Sequence, residues 1–179
     1  MRRALAWVAV LILIGAAGAL YLTRPATVPE ADIAAVTPDL ARGEQVFHAA
    51  GCASCHAADK AEGDARLILS GGHRFDTPAG VFVAPNISQD PTHGIGAWST
   101  ADIVTAVMKG TSPDGRHYFP SFPYAAYGKA ELSDIVSLAA YLQTLPADPT
   151  PSQPHELAFP YNIRLGVGAW KLVGVTDGW

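Results

Sequence analysis

The longest apolar run of the chain lies at its N-terminus. Nineteen uncharged, mostly aliphatic residues, 4–22, follow Arg2 and Arg3 and precede Arg24. At a rise of about 1.5 Å per residue this run forms a helix of about 28 Å, close to the thickness of the hydrocarbon core of a bilayer. The pattern predicts a transmembrane signal-anchor over residues 4–22. A cytoplasmic stub at residues 1–3 should precede it, because basic residues stay on the cytoplasmic side.

A cleaved signal peptide is the alternative interpretation of this run. Residues 17–19, with the sequence Ala-Gly-Ala, form an acceptable small-residue cleavage site. The apolar run is longer, however, than the core of about 7–15 residues that is usual in a signal peptide, and this favours the anchor. Both interpretations export the rest of the chain.

The remaining chain shows helical periodicity in three places, separated by long stretches without it. Residues 23–36 contain two prolines and no period, and are predicted to be a linker. Apolar residues recur at helical spacing in three stretches, which are 37–50, 99–108 and 129–145.

Capping residues support these helices. Thr37 is expected to be the N-cap of the first, with Pro38 at its first helical position. Ser99 and Asp102 resemble a capping box at the start of the second, and Gly110 is expected to end it.

The two long stretches between these helices, 57–98 and 111–128, are rich in glycine and proline, and no strand is predicted in them. The sequence therefore predicts an all-α domain with long loops over residues 37–147, followed by a C-terminal extension at 148–179. Loops of this length in a small domain are unusual unless something large packs against them.

The charge of the chain argues against nucleic acid as a partner. The formal net charge is −4 and the pI is about 5.8, without a run of basic residues. Nucleic acid is not an expected partner, because binding it requires a clustered basic face.

The two cysteines of the chain carry the strongest chemical signal. Cys52, Cys55 and His56 form the motif Cys-x-x-Cys-His, which is the attachment signature of c-type haem. A redox-active dithiol would require a βαβ setting, and a zinc site would require a second pair of ligands at suitable spacing. We therefore predict one covalent haem c, bound through Cys52 and Cys55, with His56 as the proximal iron ligand.

Around this motif the chain resembles a class I cytochrome c. Gly43 and Phe47 precede the motif, and Tyr141 and Leu142 lie in the last predicted helix, as in the two crossing helices of that family. A closer similarity is to the cytochrome subunits of membrane-bound periplasmic dehydrogenases that oxidise alcohols, gluconate or aldehydes. It is carried by the segments 84–88, 94–99, 112–117, 119–124 and 159–164.

The resemblance implies a class I cytochrome c fold and electron transport. The domain would take electrons from the catalytic subunit of a periplasmic dehydrogenase, or from another redox protein, toward the respiratory chain. It would lie in the periplasm, on a single-pass anchor in the bacterial inner membrane. Such subunits commonly carry three haem domains, whereas this sequence has one attachment motif. It is either a relative with one haem or a fragment of a longer protein.

The sixth iron ligand is left open by the sequence. Many members of the resembled group carry methionine where Phe122 or Ala130 stands here. His117, in the loop between the last two helices, is the first candidate for the distal ligand, and Met108 is the alternative. If neither ligates, the iron is open. The alternative function is then a haem enzyme, peroxidase-like or acting on a small redox-active anion, rather than an electron carrier.

The C-terminal extension is richer in apolar residues than a tail requires. Residues 156–179 include Phe159, Tyr161, Trp170 and Leu172. We expect this segment either to dock onto a dehydrogenase subunit or a neighbouring haem domain, or to fold back over the domain's own core.

Overall fold

In the computed structural model, residues 2–175 are described. Met1, in the predicted stub, and residues 176–179, in the predicted extension, lie outside the described residues. The chain is mostly helical, as predicted. Its helices are α1 (Arg2–Leu22), α2 (Glu30–Ala34), α3 (Leu40–Ala49), α4 (Cys52–His56), α5 (Thr100–Lys109), α6 (Tyr124–Tyr127), α7 (Leu132–Leu142) and α8 (Leu165–Gly174), with one 3-10 turn at Gly63–Leu67.

Helix α1 is fully exposed, and by length and composition it could cross a membrane. The segment after it, predicted as a linker, packs onto the domain. Val28 and Ile33 are buried in the main hydrophobic cluster, and the Val28 N–H donates to Thr105 Oγ1 at 3.2 Å. The sequence does not reveal this helix, because α2 has only five residues and no apolar period can be recognised over so few.

The domain is built on the crossing of α3 and α7. At Gly43 a methyl group would collide with the Ser137 carbonyl oxygen, so only glycine allows this approach. The rings of Phe47 and Tyr141 lie 5.4 Å apart at the same crossing. Helices α5 and α7 bury their apolar faces against each other. The crossing that the family resemblance implies is therefore present.

Helix ends follow the predicted capping chemistry with one shift. The Ser99 hydroxyl accepts from the Asp102 N–H while the Asp102 carboxylate accepts from the Ser99 N–H, a complete capping box. The first domain helix, in contrast, is capped by Asp39 rather than Thr37. The Asp39 carboxylate accepts from the Arg42 N–H, and the Asp39 N–H donates to Ser137 Oγ on α7. This bond between helices lies outside what local sequence specifies.

A small antiparallel sheet lies in a stretch that was predicted to be loop. Strands β1 (Arg74–Thr77) and β2 (Gly80–Val83) form a hairpin, and β3 (Glu156–Leu157) adds to β2, giving the order β1-β2-β3. The strands are short and the third comes from far along the chain, so alternation within 57–98 does not reveal them. Arg74 on β1 pairs with Glu156 on β3 at 2.7 Å, which fixes the start of the tail.

The tail then folds back on the domain through α8. The ring of Trp170 lies 6.2 Å from that of Tyr124, and the Lys171 ammonium donates to the Lys109 and Gly110 carbonyls at 2.7 and 2.8 Å. The side of the tail that carries Trp170 and Lys171 thus folds back on the domain, which is one of the two alternatives expected from the sequence. Many of its apolar side chains stay exposed on the other side.

Candidate functional site

The cysteine motif forms a helical turn of its own. Gly51 adopts a left-handed conformation, with φ of 68°, between α3 and α4, and this lets the chain change direction at once. In α4, Cys52 and Cys55 are three residues apart, so their side chains share one face of the turn. Both are free thiols and half-buried. Burial raises the pKa of Cys52 to about 11, so this thiol is protonated at neutral pH.

The imidazole of His56 is held by a backbone carbonyl. Its Nδ1 lies 2.9 Å from the Pro85 oxygen. A carbonyl oxygen only accepts, so Nδ1 must carry the proton, and the lone pair of Nε2 is left for a metal. Burial lowers the pKa of His56, which favours the neutral ring that metal ligation requires.

The segment that presents the Pro85 carbonyl is itself fixed. The Gly71 N–H donates to the His56 carbonyl at 2.7 Å, and a methyl group on Gly71 would lie 2.6 Å from the Pro85 oxygen. On the other side, the Asn86 amide donates to the Asp148 and Thr150 carbonyls, both at 2.8 Å. The orientation of His56 therefore depends on chain segments before and after the carbonyl.

An aromatic wall adjoins the cysteines. The Tyr127 hydroxyl donates to the Ala50 carbonyl at 2.9 Å, two residues before Cys52, and the Tyr127 and Phe122 rings lie 5.9 Å apart. Burial raises the pKa of Tyr127 to about 12, so it stays neutral. The wall adds apolar surface without adding charge.

The two candidates for the sixth ligand lie in different surroundings. His117 is buried, and its Nε2 is 2.8 Å from the Thr23 carbonyl, just after α1; the Arg164 guanidinium donates to the His117 carbonyl at 2.8 Å. Its Nδ1 is buried without a hydrogen-bond partner among residues 2–175. Desolvation, and then the charge of Lys171, lower the pKa of His117.

Met108 lies instead beside the short helix that carries Tyr127. It is half-buried and packs against the same hydrophobic cluster as Cys52. Its carbonyl is next to Gly128, which follows Tyr127 of the aromatic wall. The structure thus brings Cys52, Cys55 and His56 together in α4, and it places His117 with the end of α1 and the tail.

Two groups that shape this site cannot be recognised from the sequence. The Pro85 carbonyl belongs to the backbone, and its role depends on a fold that brings residue 85 to residue 56. No motif in the sequence indicates that the Tyr127 hydroxyl bonds next to the cysteines either. The segment 84–88, which carries part of the family resemblance, was the only signal that pointed to the first of them.

The donor set fits a covalently attached haem. Two thiols share one face of a helical turn, and the next residue offers an imidazole whose Nδ1 is bonded and whose Nε2 is free for iron.

Comparison with known proteins supports the same assignment. A family model described as cytochrome c matches residues 40–146. A protein of Cereibacter sphaeroides described as diheme cytochrome c-type is 50% identical over 179 residues, which is all of this chain and 60% of that protein. The fructose dehydrogenase cytochrome subunit of Gluconobacter japonicus is 35% identical over 143 residues, 79% of this chain and 28% of that one.

A third relative is the gluconate 2-dehydrogenase cytochrome c subunit of Pantoea cypripedii, 28% identical over 137 residues, 76% of this chain and 28% of that subunit. The chain thus spans 60% of the length of the first relative and 28% of each of the other two. With its motif, its crossing helices and a family match over most of the domain, the chain belongs to the cytochrome c family.

Proposed function

We propose that this chain is a membrane-anchored electron carrier with one haem c, bound through Cys52 and Cys55 and ligated by His56. The observation that carries the proposal is α4, which presents two thiols and an imidazole with a free Nε2. The haem supplies a reversible one-electron change at its iron. The protein supplies the attachment, the ligand and a low-dielectric wall.

Each contribution belongs to particular residues. The two thiols hold the haem edge, and the Pro85 carbonyl fixes the tautomer and the direction of the His56 ring. The uncharged rings of Phe122 and Tyr127 keep water from the side of the cysteines. This division fits a carrier, since the protein tunes the potential of the haem through ligation and burial.

The donor is proposed from the relatives. Their descriptions name cytochrome subunits of fructose, alcohol and gluconate dehydrogenases. We infer that the catalytic subunit of such a dehydrogenase delivers electrons to this domain, which passes them toward the respiratory chain. The exposed helix α1 would hold the chain in a bacterial inner membrane, with the domain on the periplasmic side because Arg2 and Arg3 stay in the cytoplasm.

The number of haems follows from the thiols. One relative is described as diheme, and it is longer than this chain. The two cysteines here make one attachment motif, so we propose one haem within these 179 residues.

For the sixth ligand, the surroundings favour Met108 over His117, the reverse of the order expected from sequence. Ligation by Met108 would use a half-buried side chain whose own backbone lies beside Gly128, next to Tyr127 of the aromatic wall. Ligation by His117 stays a prediction, and it would use the buried Nδ1 if the bond between Nε2 and Thr23 is kept.

The test uses membranes from cells that make the wild-type chain or the Cys52→Ala variant in place of it. We expect wild-type membranes to reduce the haem, and to consume oxygen, on addition of one substrate among fructose, gluconate and a primary alcohol. The variant should lose that oxygen uptake while reduction of a soluble dye by the dehydrogenase persists. The purified ferrous protein should not bind CO. Rapid CO binding, with no substrate-dependent reduction, would support the haem enzyme instead.

A further inference from the structure

The outer face of α8 is entirely apolar although it lies on the surface. Leu165, Leu172 and Val173 are 60, 57 and 83% exposed. With Ala169 they recur at a spacing that places them on one side of a helix. In the segment before α8, Phe159 and Tyr161 are also exposed, to 79 and 56%. Exposed apolar surface of this extent usually marks an interface.

The single charge of α8 is turned away from this face. Lys171 points into the domain, where its ammonium donates to the Lys109 and Gly110 carbonyls and lies 4.6 Å from the centre of the Tyr124 ring. Val167 and Gly168 are buried on the same inner side. A lysine on a free surface helix would normally extend into water. Here its inward position leaves the outer face without a polar group.

The helix is held at the end of α1. A methyl group on Gly168 would lie 2.7 Å from the Thr23 carbonyl oxygen, which is one residue past α1 and also meets His117 Nε2. If α1 spans the hydrocarbon core, Thr23 is at the membrane surface. The Arg24 guanidinium lies 4.3 Å from the centre of the Tyr21 ring, a pair suited to that level of a bilayer.

We infer that the outer face of α8, together with Phe159 and Tyr161, rests in the lipid interface beside the end of α1. This inference depends on the proposed anchor. An apolar helix face next to a membrane gains by entering the boundary between head groups and acyl chains. A lipid surface is favoured over a protein partner because the close approach of Gly168 to Thr23 already places α8 at membrane level. The haem domain is then attached at two points and cannot turn freely about α1.

The experiment uses the full-length holoprotein in vesicles of phosphatidylethanolamine and phosphatidylglycerol. A nitroxide is attached at Val173→Cys, with Gln143→Cys, an exposed polar position after α7, as the matched control. The two native thiols are consumed by haem, so only the new thiol reacts. We expect collisions with an aqueous nickel chelate to be severalfold rarer at position 173 than at 143, and collisions with oxygen to be more frequent.

A second measurement is the orientation of the haem in stacked bilayers by polarised absorption. Leu172→Glu should randomise it, whereas Gln143→Glu should leave it ordered. If the protein floats with vesicles but both labels meet the nickel chelate equally, the inference is overturned and the anchor stands. If the protein does not float and lacks its N-terminal residues, both are overturned. A label at 173 shielded only after a dehydrogenase subunit is added would assign the face to a protein.

Discussion

Two histidines in this molecule make nearly the same contact and have different surroundings. His56 Nδ1 lies 2.9 Å from the Pro85 carbonyl, and His117 Nε2 lies 2.8 Å from the Thr23 carbonyl. His56 follows two thiols in a tight turn. His117 lies near the cationic groups of Arg164 and Lys171. A bond between an imidazole and a carbonyl therefore does not define a role by itself; the bonded nitrogen and the neighbouring groups do.

We name the part of the domain around His56 the haem side, after the proposed haem, and the part around His117 and the end of α1 the membrane side, after the proposed anchor. On the haem side the free nitrogen is Nε2, the outer atom of the ring, and the two thiols lie in the same helical turn. On the membrane side the free nitrogen is Nδ1, which is buried close to the backbone. Metal ligation by Nε2, with Nδ1 bonded to a carbonyl, is a common arrangement in metal sites. The predictions below test this division.

The largest expected effect is on covalent attachment. Cys52→Ala should leave little or no haem on the chain, because one of the two thiols that hold the ring is lost. Haem staining of a denaturing gel at the mass of the chain measures this. Ser54→Ala, inside the same motif, is the control and should stain like the wild type. Full staining of Cys52→Ala would contradict the assignment of the haem side.

The next effect concerns the iron. Because Met108 lies beside the aromatic wall that carries Tyr127, we expect Met108→Leu to abolish the weak far-red band that sulfur ligation gives ferric haem, and to allow CO to bind. His117→Ala should leave both properties unchanged. The reverse pattern would place His117 on the iron. Met108→Leu would then cost only about 1 kcal/mol in the free energy of unfolding, as a volume-conserving exchange.

A smaller effect is expected on stability at the crossing of α3 and α7. Gly43→Ala should lower the free energy of unfolding by about 1–3 kcal/mol, because its methyl group collides with the Ser137 carbonyl. Gly166→Ala, in α8, meets nothing within 4 Å and should change it by less than about 1 kcal/mol. Urea unfolding followed by tryptophan fluorescence compares them. Equal stability of the two variants would show that the crossing yields easily.

The smallest effect concerns the ion pair between α3 and α7. The hydrogen bond and charge of Arg42 lower the pKa of Asp134, so the pair stabilises the fold above the ordinary pKa of Asp134. This contribution is lost as the pH falls through the lowered pKa. Because both groups are near solvent, Arg42→Gln should lower the free energy of unfolding only slightly at neutral pH, and not at all in acid. Arg66→Gln, at another exposed arginine, is the control for urea unfolding at both pH values. A cost that persists in acid would show that Arg42 acts through packing.

The haem side was largely predictable because its signals are local. The motif at 52–56 specifies the thiols and the imidazole in five residues, and Gly43 with Phe47 indicates the helix crossing. The capping box at Ser99 is equally local, and it is present as predicted.

The membrane side was less predictable because each of its contacts joins distant segments. The Thr23 carbonyl bonds to the His117 ring, 94 residues away in the chain. The Arg164 guanidinium bonds to the His117 carbonyl, 47 residues away. The strand at 156–157 forms by pairing with the edge of β2, which lies far from it in the sequence. A histidine in a loop looked like a free ligand in the sequence, since the chain that occupies its Nε2 comes from outside the loop.

The hydrogen bonds of Asn86 have a consequence for the order of events during biosynthesis. The segment that orients His56 is pinned by carbonyls at 148 and 150, and the Asn86 N–H itself donates to Ser152 Oγ. In a chain made from its N-terminus, the thiols of α4 are synthesised well before those partners. The carbonyl that directs His56 is therefore fixed only when the last part of the domain has folded onto the segment 84–88.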